Sequence, residues 1–195
     1  MNTPSTDISE ISPRANSLPN AMGGADPWVG LQKYTSARSG IGRAGGRQRT
    51  PSILDFRLAH ARARDAVHAQ FFPERVAEKL EKAGFESVVL RTMVSDKRTY
   101  LMNPDAGRRL CKESRAALAE FAPKWGRRDL AVVISDGLSA TAAKAHAADT
   151  AIALFKFLPK ANWSAYPVFI VPYARVKIQD DINETLGARL SLIHI

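Results

Sequence analysis

Two rhythms of apolar and polar residues run along this chain, and each change of rhythm marks an element. From Thr50 a helical period sets in: Ile53, Leu54, Leu58, Ala61 and Val67 mark one apolar face, and Arg57, Arg62 and Arg64 lie off it. Thr50 suits the N-cap, Pro51 the first helical position and Asp55 the first turn. Pro73 opens a second helix with Val76, Ala77 and Leu80 inward, and Gly84 stops it. Phe85 to Val94 reads as extended around the β-branched pair Val88 and Val89. Ser95-Asp96-Lys97 reads as a turn, and Tyr100-Leu101-Met102 as a short extended piece ending at Asn103-Pro104. A helix from Asp105 to Phe121 is expected next, capped by Asn103 or Asp105. Its inward stripe is Leu110, Ser114, Ala117, Leu118 and Phe121.

The second half changes style. Asp129 to Ile134 is a continuous apolar run after its first residue, the signature of a strand buried on both faces. Ser135 to Ser139 is the turn after it, and an alanine-rich helix runs on to about Phe157. Val168 to Tyr173 reads as a strand, Val176 to Leu186 as a helix ended by Gly187, and Ala188 to Ile195 as a third strand. Strand, helix, strand, helix, strand implies right-handed crossovers and a parallel sheet. The expected fold class is therefore α/β: an N-terminal helical and extended segment followed by a partial Rossmann-like parallel sheet. The expected domains are a disordered leader at 1–27, a helical docking region at 28–125 and an incomplete Rossmann-like domain at 126–195. Ligands of such sheets sit outside the carboxyl ends of the strands. That singles out two loops, Ser135 to Ser139 and Tyr173 to Lys177.

Composition narrows the function. With 195 residues and 45% apolar content the chain can bury a real core. Residues 1–27 are rich in Ser, Asn, Pro and Gly and read as the leader or linker. No apolar run is long enough to span a membrane, and no charged segment followed by an apolar one marks a secretory signal. Cys111 stands alone, which fits a reducing compartment and the role of a small buried helix residue. The net charge of +9 makes nucleic acid the default partner. Yet the charge is spread along the chain, and no RNA-recognition, zinc-finger or basic-zipper signature accompanies it. Its densest stretch runs from Trp28 to Arg64, with eight Lys or Arg residues against the single acid Asp55 and four glycines between residues 40 and 46. Such a loop either binds an anion or docks an acidic partner.

Candidate chemistry is sparse. Neither carboxyl-end loop carries a nucleotide fingerprint, and Gly40 and Gly42 do not follow a strand. Ser135-Asp136-Gly137 could present a nucleophile or an anion site, but turn chemistry with capping by Ser139 accounts for it. His60 and His68 lie on an arginine-rich helix and His146 on an alanine-rich one, with no serine or cysteine recognisably paired to them. The four histidines and Cys111 show no zinc spacing. No catalytic set and no metal site is expected within this chain.

Several blocks, in order, resemble the small (light) subunit of ethanolamine ammonia-lyase. They are Tyr34-Thr35-Ser36-Ala37-Arg38 with Gly42-Arg43-Ala44-Gly45, Leu58 to Val67, Ser95-Asp96-Lys97, and Pro104 to Leu110. Val132 to Ser139 and Tyr173-Ala174-Arg175-Val176-Lys177-Ile178 continue the match, so the likeness covers roughly Trp28 to Arg189. The resemblance implies a cytoplasmic enzyme subunit, housed in a bacterial microcompartment. With a large subunit it would use adenosylcobalamin to convert ethanolamine to acetaldehyde and ammonia. It implies that the catalytic side chains lie on the large subunit, that no nucleic acid or membrane is involved, and that the small subunit closes over the cobalamin. The radical chemistry then belongs to the cofactor. The family's cobalamin-contacting valine maps onto Val176. Its later glutamate and cysteine contacts have no counterpart here, and Cys111 falls in a different block. Since the family continues beyond the apolar segment at Leu190 to Ile195, a truncated, impaired copy with an open sheet edge is the expectation. A basic nucleic-acid-binding protein and a non-functional fragment are the competing readings.

Overall fold

The computed structural model describes residues 28–44, 47–158 and 162–194. The expected leader at 1–27, the glycine pair at 45 and 46, and Ile195 lie outside the described residues. The chain divides into two compact units between Ala61 and Arg62.

In the first unit a 3-10 turn at Val29–Lys33 precedes a short antiparallel hairpin, β1 (Arg43–Ala44) and β2 (Arg47–Gln48). Gly40 has φ +59, and a Cβ there would sit 2.6 Å from the Val29 nitrogen, so only glycine lets the chain fold back this closely. Helix α1 (Thr50–His68) then begins in this unit, and no residue of it is buried. On its apolar face Leu54 and Leu58 are exposed.

The second unit is built on a four-stranded parallel sheet in the order β3-β5-β4-β6. Its strands are β3 (Ser87–Val89), β4 (Leu130–Ile134), β5 (Val168–Ile170) and β6 (Leu190–His194). Registers such as Ser87↔Val168, Val133↔Phe169 and Leu130↔Leu190 fix the pairing. The parallel α/β reading holds, and the sheet takes in β3, upstream of where it was expected to begin. All five residues of β4 are buried, as a continuous apolar run requires when both sheet faces are covered. Ala131 and Val133 point to one face, where Leu118 of α4 (Lys112–Trp125) and Ile178, Ile182 and Leu186 of α7 (Ile178–Leu186) pack. Leu130, Val132 and Ile134 point to the other. There they meet Val76 and Leu80 of α2 (Pro73–Lys82) and Ala148 and Ala151 of α6 (Ala148–Phe157). Two faces of helices on one parallel sheet make three layers.

Three expectations are corrected. Residues 100–102 are not extended: they complete α3 (Lys97–Met102). Its cap decides this, because Asp96 accepts the Thr99 backbone N–H at 3.0 Å and the Thr99 hydroxyl at 2.8 Å. The helix expected from Asp105 to Phe121 is split into a 3-10 turn, Ala106–Arg108, and α4. Between them Leu110 bridges Thr92 antiparallel and gives its N–H to Asp181 at 2.7 Å, which takes it out of helical bonding. Cys111 is therefore a half-buried N-cap, its sulfur accepting the Ser114 N–H at 3.5 Å, and no interior helix residue. The alanine-rich helix after β4 is interrupted as well. It starts as α5 (Ala140–Ala142), capped by Ser139 at 3.2 Å, widens into a π-turn at Ala143–Ala147 and continues as α6.

Candidate functional site

The crossover after β4 runs over one face of the sheet and that after β5 over the other, while the two strands lie side by side. Connections leaving in opposite directions open a crevice between the carboxyl ends of neighbouring strands, where ligands of such sheets bind. Here the lips of that crevice are the two loops singled out by sequence. Val171 and Ser135 still hold the sheet pattern, the Val171 N–H donating to the Ile134 carbonyl at 2.8 Å and the Ser135 N–H to that of His194 at 3.0 Å.

Beyond them the two loops lock together. Ser135 is fully buried, and its hydroxyl oxygen accepts the Ala174 N–H at 3.1 Å. Asp136 is 0% exposed, and a carboxylate without water needs donors and a counter-charge. Oδ1 accepts the Tyr173 N–H at 2.6 Å, and Oδ2 accepts Lys97 Nζ at 2.7 Å. The same ammonium lies 5.1 Å from the Tyr100 ring centroid and 5.2 Å from that of Tyr173, within cation–π range of both. The Arg175 guanidinium lies 4.0 Å from the Tyr100 ring centroid, and its Nη2 donates to the Tyr100 carbonyl at 2.8 Å. Burial pushes the Tyr100 phenol above its ordinary range; Arg175 opposes this, and Asp136 adds to it. Burial also raises Tyr173, with Asp136 and then Asp96 acting in the same direction. The phenols are thus held neutral around an ammonium–carboxylate pair. Ser135 and Asp136 spend their oxygens on backbone and Lys97, so the arrangement is a structural lock without a free nucleophile.

Val176 follows directly and is 52% exposed. Leu138, in the β4 loop, and Met93, beyond β3, are also exposed. All three lie in segments that follow the carboxyl ends of strands. The other residues singled out by sequence are dispersed. Arg38 is paired with Asp55 at 3.1 Å and lies 5.4 Å from the Phe56 ring centroid. The His60 ring stacks on Phe56 with centroids 6.3 Å apart. Arg43 belongs to β1. Among the described residues no group of three His, Cys, Asp or Glu could hold a metal ion, and no helix is long and apolar enough to cross a membrane. Sequence reasoning missed Lys97, Tyr100 and Tyr173 as partners of Asp136. The available signal was an aspartate at the end of a fully apolar strand, which fixes the acid but not the distant lysine that answers it.

The family model of the ethanolamine ammonia-lyase light chain matches residues 25–195. This chain belongs to that family. It is 43% identical over 171 residues to an ethanolamine ammonia-lyase small subunit of Azotobacter vinelandii, covering 87% of this chain and 63% of that protein. It is 41% identical over 172 residues to the one of Pseudomonas syringae pv. tomato, covering 88% and 60%. For the small subunit of Pseudomonas paraeruginosa the identity is 40% over 179 residues, covering 91% and 65%. The chain therefore spans about three fifths of the length of these light-chain relatives. Within the matched region lie both carboxyl-end loops, the Lys97–Asp136 lock and Val176.

Proposed function

We propose that this chain serves as the light subunit of an adenosylcobalamin-dependent ethanolamine ammonia-lyase. With the large subunit it converts ethanolamine to acetaldehyde and ammonia, in a bacterial cytoplasm and within a microcompartment. The observation that carries this reading is the light-chain family match across residues 25–195. The four-stranded sheet, β3 included, acts as a Rossmann-like unit whose carboxyl end faces the cofactor, and the basic segment that precedes it, from Trp28 to Arg64, supplies the docking surface for the large subunit. The side chains at that end fit a corrin. Val176, Leu138 and Met93 expose apolar surface there, suited to covering a broad apolar ring and excluding water from it. When bound, the cofactor supplies the radical chemistry. Val176 supplies shape and dryness, and the lock that precedes it supplies rigidity.

The test is Val176→Asp in the assembled enzyme. A carboxylate placed against the corrin, without a partner, is expected to lower adenosylcobalamin affinity about tenfold or more while the large subunit still co-purifies. Unchanged affinity in that complex would remove Val176 from the cofactor contact. An assembly that forms but deaminates no ethanolamine with added adenosylcobalamin would remove the proposed activity.

A further inference from the structure

We infer that Lys97 is a positioning residue for the segment carrying Val176. Its ammonium, within cation–π range of both the Tyr100 and Tyr173 rings and bonded to the Asp136 carboxylate, fixes Tyr173 in a left-handed conformation and so fixes the direction in which residues 174–176 leave the sheet. What Val176 faces rests on the light-subunit reading; the clamp itself does not.

The argument starts from the backbone. Tyr173 has φ +57, a conformation that a residue with a bulky side chain adopts only when its surroundings enforce it. Four bonds enforce it here. The Tyr173 N–H donates to Asp136 Oδ1 at 2.6 Å, and its carbonyl accepts the Thr92 hydroxyl at 3.5 Å. The Ala174 N–H donates to Ser135 Oγ at 3.1 Å, and the Arg175 N–H to the Gly107 carbonyl at 2.8 Å. Of these only the bond to Asp136 is both short and charge-assisted, the stronger class of hydrogen bond. A carboxylate buried this completely is costly to hold in place without a counter-charge bound to it. Lys97 is that counter-charge, 2.7 Å from the other oxygen. Its own placement is set in turn by the Asp96 cap, which starts α3 at Lys97. One carboxylate thereby joins α3, the β4 loop and the β5 loop, and the β5 loop leads within three residues to Val176.

The experiment is amide hydrogen exchange on the full-length subunit, with adenosylcobalamin titrated into its complex with the large subunit. Lys97→Met keeps the stem length and removes the charge. It is expected to speed exchange at Tyr173, Ala174 and Arg175 about tenfold relative to the β4 amides, and to weaken adenosylcobalamin binding by a similar factor while large-subunit association holds. Lys97→Arg keeps the counter-charge, so folding is preserved even if the methionine variant fails to fold. Its broad, planar guanidinium cannot reproduce the compact ammonium's fit against both the Asp136 carboxylate and the two rings, and a smaller acceleration confined to the same three amides is expected. Wild-type exchange at those amides in the arginine variant would overturn the inference, as would acceleration spread evenly over the sheet. So would local acceleration with unchanged cofactor affinity in a complex that binds it. Local acceleration in a wild-type-like complex that binds no adenosylcobalamin at all would instead refute the light-subunit reading and leave the clamp in place.

Discussion

Gly107 has almost no room around it. A Cβ at that position would lie 2.9 Å from the Tyr173 carbonyl oxygen and 3.1 Å from Arg175 Cγ, and the first of these is backbone that cannot swing away. Gly107→Ala is therefore expected to destabilise the protein by about 1–3 kcal/mol, read as a lower urea midpoint, with the β5 loop displaced. Two carboxylates set the acid limit. Asp96, bonded to the Thr99 backbone and hydroxyl, and Asp129, bonded to the Ser164 backbone and hydroxyl and to Arg189, each have a pKa lowered to about 2 from 3.8. A depressed folded-state value means that the unfolded chain binds more protons between these limits. Their contribution is thus complete above about pH 4 and is lost as pH falls through about 2. Urea midpoints measured from pH 5 to pH 2 should fall for the wild type. Asp96→Ala with Asp129→Ala should lower the midpoint at pH 5 and flatten the decline; an unaltered slope would contradict the assignment. The sequence marked Asp96 only as part of a turn and gave Gly107 and Asp129 no role of their own. Gly107 matters through Tyr173, and Asp129 through Ser164, contacts that only the folded chain creates.

Elements were legible in proportion to how far they are made of their own residues. The Leu130–Ile134 strand could be read because burial on both faces leaves a continuous apolar run. Helix α7 could be read because Ile178, Ile182 and Leu186 keep the helical period and Gly187 ends it with φ +67. Helix α3 escaped, since six residues are too few for a period and its deciding signal is the Asp96 to Thr99 cap. The break before α4 escaped because Asp181, far along the chain, captures the Leu110 N–H. Of the site, both loops were legible from the strand-and-turn pattern, and the lysine that locks them was not. Helix α1 was legible from its Thr50-Pro51 start and its helical period, and Leu54, Phe56 and Leu58 on it are exposed among basic residues. Exposed apolar side chains on a basic helix suit the docking role proposed for the region. Leu54→Ser with Leu58→Ser should leave the thermal midpoint nearly unchanged, because exposed positions contribute little to folding. Recovery of the large subunit on a tagged light chain should drop several-fold. Full recovery would place the docking surface elsewhere.

At the scale of the molecule, the sheet has one strand whose outer side is only partly dressed. β6 pairs with β4, and on the face shared with α2 and α6 its Leu190 and Leu192 are 48% and 44% exposed. Apolar side chains on an edge strand favour pairing between molecules. Leu190→Lys with Leu192→Lys is expected to reduce concentration-dependent light scattering of the isolated 195-residue chain; equal scattering would show that association proceeds through another surface. The order of the strands also has a temporal meaning. β3 has a single neighbour in the sheet, and that neighbour is β5, paired at Ser87↔Val168. β4 is made between them, yet it too pairs only with strands made later, β5 and β6. A ribosome adding roughly 5–20 residues each second takes about 4–16 s to pass from Ser87 to Val168. During that interval the emerging chain holds first one strand and then, once Leu130–Ile134 has been made, two with no partner, and Leu90 and the Leu130–Ile134 run lie open to water or to a chaperone. The sheet cannot grow strand by strand in chain order: β3 and β4 are first joined when Val168 to Ile170 clears the exit tunnel, and β6 adds only after that, so translation itself sets the earliest moment at which this core can form.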